Sequence, residues 1–139
     1  MKYKNSKVLI SALYFGIAFF PLMSIASGYW AYSEYTAGIG GNFFIFVIGS
    51  LFFGYLSYLG FKLLKYLHHE YTLTDEAIEI SAGKRVEVHK WSSGMRVKES
   101  HALQLFWLYS ADNRVIVMVD YMMPGYKEFS SFIALKVKA

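Results

Sequence analysis

The sequence predicts an α+β membrane protein: a two-helix transmembrane hairpin, then a small antiparallel β domain that ends in a C-terminal helix. Three observations lead there. Residues 8–33 and 35–61 are two uncharged stretches, each longer than the roughly 20 apolar residues a helix needs to cross a bilayer core. Up to residue 61 the only charges are Lys2, Lys4, Lys7 and Glu34, whereas charges are frequent from Lys62 onward. From Tyr71 the apolar spacing changes from helical to alternating, the signature of half-buried strands.

The chain has 139 residues, 55% hydrophobic and 17% charged, an apolar share above the roughly half that is usual for a soluble domain. The change in composition places a boundary near residues 68–71, with a membrane hairpin over 1–69 and a water-facing domain over 70–139. A domain that small buries only about 60% of its unfolded surface, so docking on the hairpin or self-association would help it. The net charge of +4 resides in the first half. From Glu70 onward, nine basic residues balance nine acidic ones. A neutral domain lacks the basic footprint that a phosphate backbone requires, which argues against nucleic acid as a partner. The chain has no cysteine, so disulfides, thiolate chemistry and cysteine-held zinc are excluded.

The first span is drawn over 8–32. Pro21 lies inside it and predicts a kink. Tyr29, Trp30 and Tyr32 at its far end suit the headgroup level. Residues 33–42, with Glu34, Gly38, Gly40 and Gly41, read as a polar turn, and the second span covers 42–61. Lys2, Lys4 and Lys7 precede the first span, and Lys62 and Lys65 follow the second. The positive-inside bias therefore predicts both termini, and the β domain, on the cytoplasmic side. Ser24-Ile25-Ala26 could end a secretory signal cleaved after Ala26. The apolar run continues to Tyr32, beyond the 7–15 residues typical of such signals, so an uncleaved span is expected. Ser50, Gly54 and Ser57 fall at i, i+4 and i+7 on one face of the second span. Ala12-Gly16 and Ser24-Gly28 have the same small-residue spacing on the first. Such faces let helices approach closely in lipid. Neither span contains an ionisable Asp, Glu, Lys, Arg or His, which disfavours a channel or transporter.

Beyond the spans, Tyr71 and Leu73 read as one strand and Ala77, Ile78 and Ile80 as the next, with Thr74-Asp75-Glu76 between them. A Gly83 turn follows. Residues 85–91 place Val86 and Val88 on one face and Glu87 and His89 on the other. Strands over 95–99, 103–109 and 114–120 come next, the last with Val115, Val117 and Val119 on one face. Pro124-Gly125 ends the run. Phe129, Phe132, Ile133 and Leu135 then approach helical spacing over 126–137. About six antiparallel strands and one helix suit a curved sheet plugged at one open end, and fold alone does not supply function.

Two N-terminal spans, Tyr71-Thr72-Leu73-Thr74-Asp75-Glu76, Trp91 after a strand, Val97-Lys98-Glu99-Ser100, a strand ending in Leu108-Tyr109, and Glu128-Phe129 in the closing helix together resemble the YcxB-like family of small bacterial membrane proteins. They also resemble bacterial PH-like domains attached to membrane hairpins. The resemblance spans nearly the whole chain and rests on hydrophobic patterns. Family members often carry Ile-Pro with basic residues before the last helix, where this chain has Asp120-Tyr121-Met122-Met123-Pro124. The resemblance implies a bacterial inner-membrane protein with a scaffold or interaction role and no enzymatic activity.

Chemistry-bearing residues are few. His68, His69 and Glu70 are adjacent in sequence, so the two imidazoles point apart, unlike a His-Glu-x-x-His pair. They read as a juxtamembrane polar collar, and no metal or cofactor is expected. His89 and His101 read as ordinary strand or loop residues. The Ser92-Ser93-Gly94 and Ser81-Ala82-Gly83-Lys84 segments lack the full phosphate-loop pattern. Lys84 and Arg85 are candidates for contact with anionic headgroups, although Glu79 and Glu87 nearby would offset them. Met118, Met122 and Met123 are candidates for an adaptable partner surface. The expected role is therefore non-enzymatic: a PH-like module anchored at the cytoplasmic face, contacting membrane lipids and a protein partner or a second copy. A membrane immunity protein against a toxin is the alternative. A membrane enzyme would need Glu34, His68, His69 and Glu70 to converge, yet the predicted topology puts Glu34 on the opposite side from the histidines.

Overall fold

The computed structural model describes residues 1–138. In chain order its elements are β1 (Lys2–Lys4), α1 (Lys7–Thr36), α2 (Phe43–Leu64), β2 (Glu70–Leu73), β3 (Ala77–Ala82), β4 (Arg85–Lys90), β5 (Arg96–Ser100), β6 (Leu105–Tyr109), β7 (Val115–Asp120) and α3 (Tyr126–Lys138). The chain divides into two compact units. One joins Met1–Ile10 to Leu63–Ala139, and the other is Ser11–Lys62.

The helical unit is an antiparallel pair. Ser24 Oγ donates to the Ser50 carbonyl at 2.9 Å, and Ser50 Oγ donates back to the Ser24 carbonyl at 3.0 Å. Small residues permit that approach. A Cβ on Gly28 would lie 3.3 Å from Ser50 Oγ, and one on Gly54 would lie 3.4 Å from Ser24 Oγ. Ser57, also on the expected face, is buried and donates to the Phe53 carbonyl of its own helix at 2.7 Å. Gly16 differs from expectation: among the described residues a Cβ there would meet only Phe20 of the same helix. Gly49 against Ser27 and Gly60 against Ile17 supply close approaches instead. Phe20–Phe53 and Trp30–Phe46 ring contacts lie along the same seam.

Pro21 sits inside α1 without ending it. The helix also runs past the expected turn, so Glu34 belongs to its last turns. No glycine or proline lies between Ser33 and Gly38, whose φ of +99° ends the run, and Ala37 N–H still bonds to the Ser33 carbonyl at 3.0 Å. Both helices are long and apolar enough to cross a membrane. Of the most apolar stretch in each, only 6% and 11% of residues are buried.

The β unit holds seven antiparallel strands in two sheets, ordered β1-β2-β3-β4 and β5-β6-β7. The additional strand comes from the N-terminus, a segment that the sequence assigns to the flank of the hairpin. Lys2, Tyr3 and Lys4 pair with Thr72, Tyr71 and Glu70. The Met1 amino group donates to the Leu73 carbonyl at 3.0 Å, and Leu73 N–H donates to the Met1 carbonyl at 2.8 Å. Alternation along β1 buries Tyr3 and leaves Lys2 and Lys4 outside.

α3 ties the two sheets together. Phe129 and Ile133, one turn apart, are fully buried. The Phe129 ring meets Tyr3 at 5.2 Å, Tyr71 at 5.5 Å and Phe106 at 5.9 Å, so one side chain bridges β1, β2 and β6. Leu135, expected on the same face, is exposed. Gly125 opens this helix with φ +75°, and a Cβ there would come within 2.9 Å of the Tyr3 ring. Both the left-handed backbone and the close ring call for glycine.

Two strands differ from simple alternation. β7 is buried on both faces, with Val117 and Val119 on one and Ile116 and Met118 on the other. Tyr66, just beyond α2, reaches the Val115 carbonyl of this strand with its hydroxyl at 3.2 Å. In β4 the valines face outward: Val86 and Val88 are exposed, while His89 is half-buried.

Candidate functional site

Two cavities of the β unit share His69 in their walls, and both are lined by basic residues that flank the apolar helices in sequence. The larger, about 460 Å³, is built where β1 leads into α1 and where the segment after α2 leads into β2. Ser6 caps α1: its hydroxyl accepts from Leu9 N–H at 3.1 Å, and its carbonyl accepts from Ile10 N–H at 3.0 Å. Asn5 joins the two connections, donating its side-chain amide to the Leu67 carbonyl at 2.9 Å.

That framework holds Lys2, Lys4 and Lys7 around the cavity, with His68 and Glu70 opposite in the chain. Lys4 lies 3.8 Å from Glu70 with both side chains largely exposed, so this pair contributes little to stability. Lys2 and Lys7 have no carboxylate partner among the described residues. Three ammonium groups against one carboxylate make the cavity electropositive.

The second cavity is about 170 Å³ and narrower. Lys65 and Arg85 line it together with Tyr66, His69 and Glu87. The fold therefore brings Arg85, a candidate headgroup contact, into the same cavity wall as Lys65, which follows α2. Lys84 stays at the exposed hairpin tip after Gly83, whose φ is +64°. Burial lowers the pKa of His69. Glu87 opposes that shift, and Lys65 and His68 reinforce it. Its Nδ1 is buried without a hydrogen-bond partner among the described residues.

The methionine surface is mostly interior. Met118 and Met123 are buried and only Met122 is exposed, because β7 packs on both faces and Met123 joins the core beside Phe129. A partner surface built of all three is therefore not available. His89 lies 3.6 Å from Glu87, and His101 Nδ1 lies 3.3 Å from the Tyr121 hydroxyl. Among the described residues no three His, Asp or Glu side chains converge as metal ligands.

The part that sequence reasoning missed is the lysine-lined cavity. The Lys-Tyr-Lys alternation at the N-terminus was its signal, but three residues are too few to establish a period. What the arrangement can do chemically is hold an anion beside apolar surface. No protein-family model, curated protein or solved structure matches the chain, and nothing among these comparisons identifies the YcxB-like family.

Proposed function

We propose that this chain is a membrane-anchored, non-enzymatic interaction protein. In this reading α1 and α2 span the bilayer as a hairpin. Both termini are cytoplasmic, and the β unit meets a protein partner at the cytoplasmic face of a bacterial inner membrane. The observation that carries the reading is the exposed apolar surface of the helical pair. Phe15, Leu22 and Ile25 on α1 and Phe44, Ile48 and Leu51 on α2 are among many large side chains left uncovered. Soluble monomers rarely expose contiguous apolar patches beyond a few hundred Å², and lipid is the solvent that covers such a surface without cost. The lysines before α1 and after α2 support the orientation.

The full chain should remain with vesicles through alkaline carbonate extraction. A reporter fused after Ala139 should be active only in the cytoplasm. Release of the intact protein into carbonate without detergent refutes the spanning hairpin, and a reporter active only outside the cytoplasm refutes the orientation.

A further inference from the structure

We infer that the cavity beside β1 binds the phosphodiester of an anionic phospholipid headgroup, with Lys2, Lys4 and Lys7 as its cationic contacts. The inference rests on the membrane reading above and names the ligand class of the candidate site.

Three observations carry it. The first is shape and size: about 460 Å³ is within the range of small-ligand pockets. The second is charge. The domain from Glu70 onward is balanced, so it does not by itself attract polyanions. The lining of this cavity is unbalanced: among its residues only Glu70 offsets the three lysines, and Lys2 and Lys7 have no carboxylate partner among the described residues. The third is position in the chain. Lys7 is the first residue of α1, and the wall formed by Leu67, His68 and Glu70 begins just after α2 ends at Leu64. If the apolar helices occupy the bilayer core, the residues flanking both of them lie at headgroup depth. Ile10, Leu67 and Pro124 add an apolar side to the cavity, which suits a ligand whose anionic head continues into acyl chains.

The fold explains why the lysines converge. Tyr3 is drawn into the core against Phe129, so alternation sends Lys2 and Lys4 to the opposite face. Ser6 then starts α1 and places Lys7 in its first turn.

The test uses the full chain reconstituted in phosphatidylcholine vesicles that contain a graded fraction of phosphatidylglycerol. The protein is extracted gently and weighed with its bound lipid by native mass spectrometry. Phosphatidylglycerol should be retained in preference to phosphatidylcholine, which carries the same phosphodiester without net charge. Each of K2Q, K4Q and K7Q should weaken that retention about fivefold, and the triple variant about a hundredfold. K90Q/K127Q, two exposed lysines elsewhere, should leave it unchanged. If the triple variant does not fold, the single variants and the salt dependence of the wild type decide the matter, since retention must weaken as salt rises.

Equal retention of the two lipids, or undiminished retention in folded K2Q/K4Q/K7Q, overturns the inference. So does displacement by equimolar inorganic phosphate, which would assign the cavity to a soluble anion. Any of these results from a protein that still resists carbonate extraction leaves the spanning reading standing. Release into carbonate overturns both.

Discussion

Tyr3→Ala tests whether the N-terminal strand belongs to the folded β unit. The Tyr3 side chain is 7% exposed. Its ring packs edge-on against Phe129 at 5.2 Å and lies against Gly125. Removing a buried aromatic ring costs about 3–5 kcal/mol. Tyr3 sits on a three-residue edge strand that can relax, and its hydroxyl donates to the Met1 sulfur at 3.2 Å. The lower end, about 3 kcal/mol, is therefore expected. For a domain of this size each kcal/mol shifts the midpoint by about 4–8 °C, so Tm should fall by roughly 12–24 °C. The assay is thermal unfolding of the full chain in detergent micelles in a W30F background. The two remaining tryptophans, Trp91 and Trp107, both report on the β unit. Y3F should cost no more than about 0.5 kcal/mol, because a thioether is a weak acceptor. A Y3A midpoint within 2 °C of the parent, for a protein that still unfolds cooperatively, would refute the assignment of β1 to this core.

Other substitutions probe the remaining contacts. G125A should cost about 2 kcal/mol in the same assay, combining a left-handed backbone with the approach to Tyr3. In the Y3A background only the backbone part should remain, so additive costs would show that the ring and the glycine are not coupled. S24A and S50A should each weaken the helical pair by about 0.6–1.7 kcal/mol in a detergent-unfolding titration read by Trp30 fluorescence. G28L, which drives a side chain into Ser50, should exceed either, and a silent G28L would exclude this seam. His69 sets a pH dependence. Its folded pKa lies below the ordinary value of 6.5, so its contribution is complete above that value and is lost as pH falls through the lowered one. H69Q should flatten the decline in stability below pH 6.5, and an unchanged pH profile would remove His69 as its source. Asp120, whose burial raises its pKa, has the opposite sign. Its contribution is complete below the ordinary carboxylate pKa and fades as pH rises through the raised value.

Much of the fold was legible because its causes are local. The apolar helices follow from long uncharged runs. The β2–β3 connection follows from Thr74, whose hydroxyl donates to the Ala77 carbonyl at 2.9 Å and accepts from Ala77 N–H at 3.1 Å. The β3–β4 hairpin follows from Gly83, and the close face of α2 from Ser50 and Gly54. The outward valines of β4 were not legible. Alternation separates two faces of a strand but does not say which one meets the core, and here half-buried His89 takes the inner side. The burial of Met118 and Met123 was equally hidden, since it depends on what long-range packing brings over both faces of β7 and its exit.

Local chemistry along the chain determined where helices, strands and turns form, and which stretches are apolar enough to need something other than water around them. Only long-range pairing decided that residues 2–4 would join a sheet whose next strand begins at Glu70. A segment that short has no period of its own. It becomes a strand because the edge of β2 offers unpaired N–H and C=O groups and because Phe129 and Tyr71 leave room for one more ring. The same pairing gathers Lys2, Lys4 and Lys7 around one cavity, turning a scatter of N-terminal charge into a candidate site.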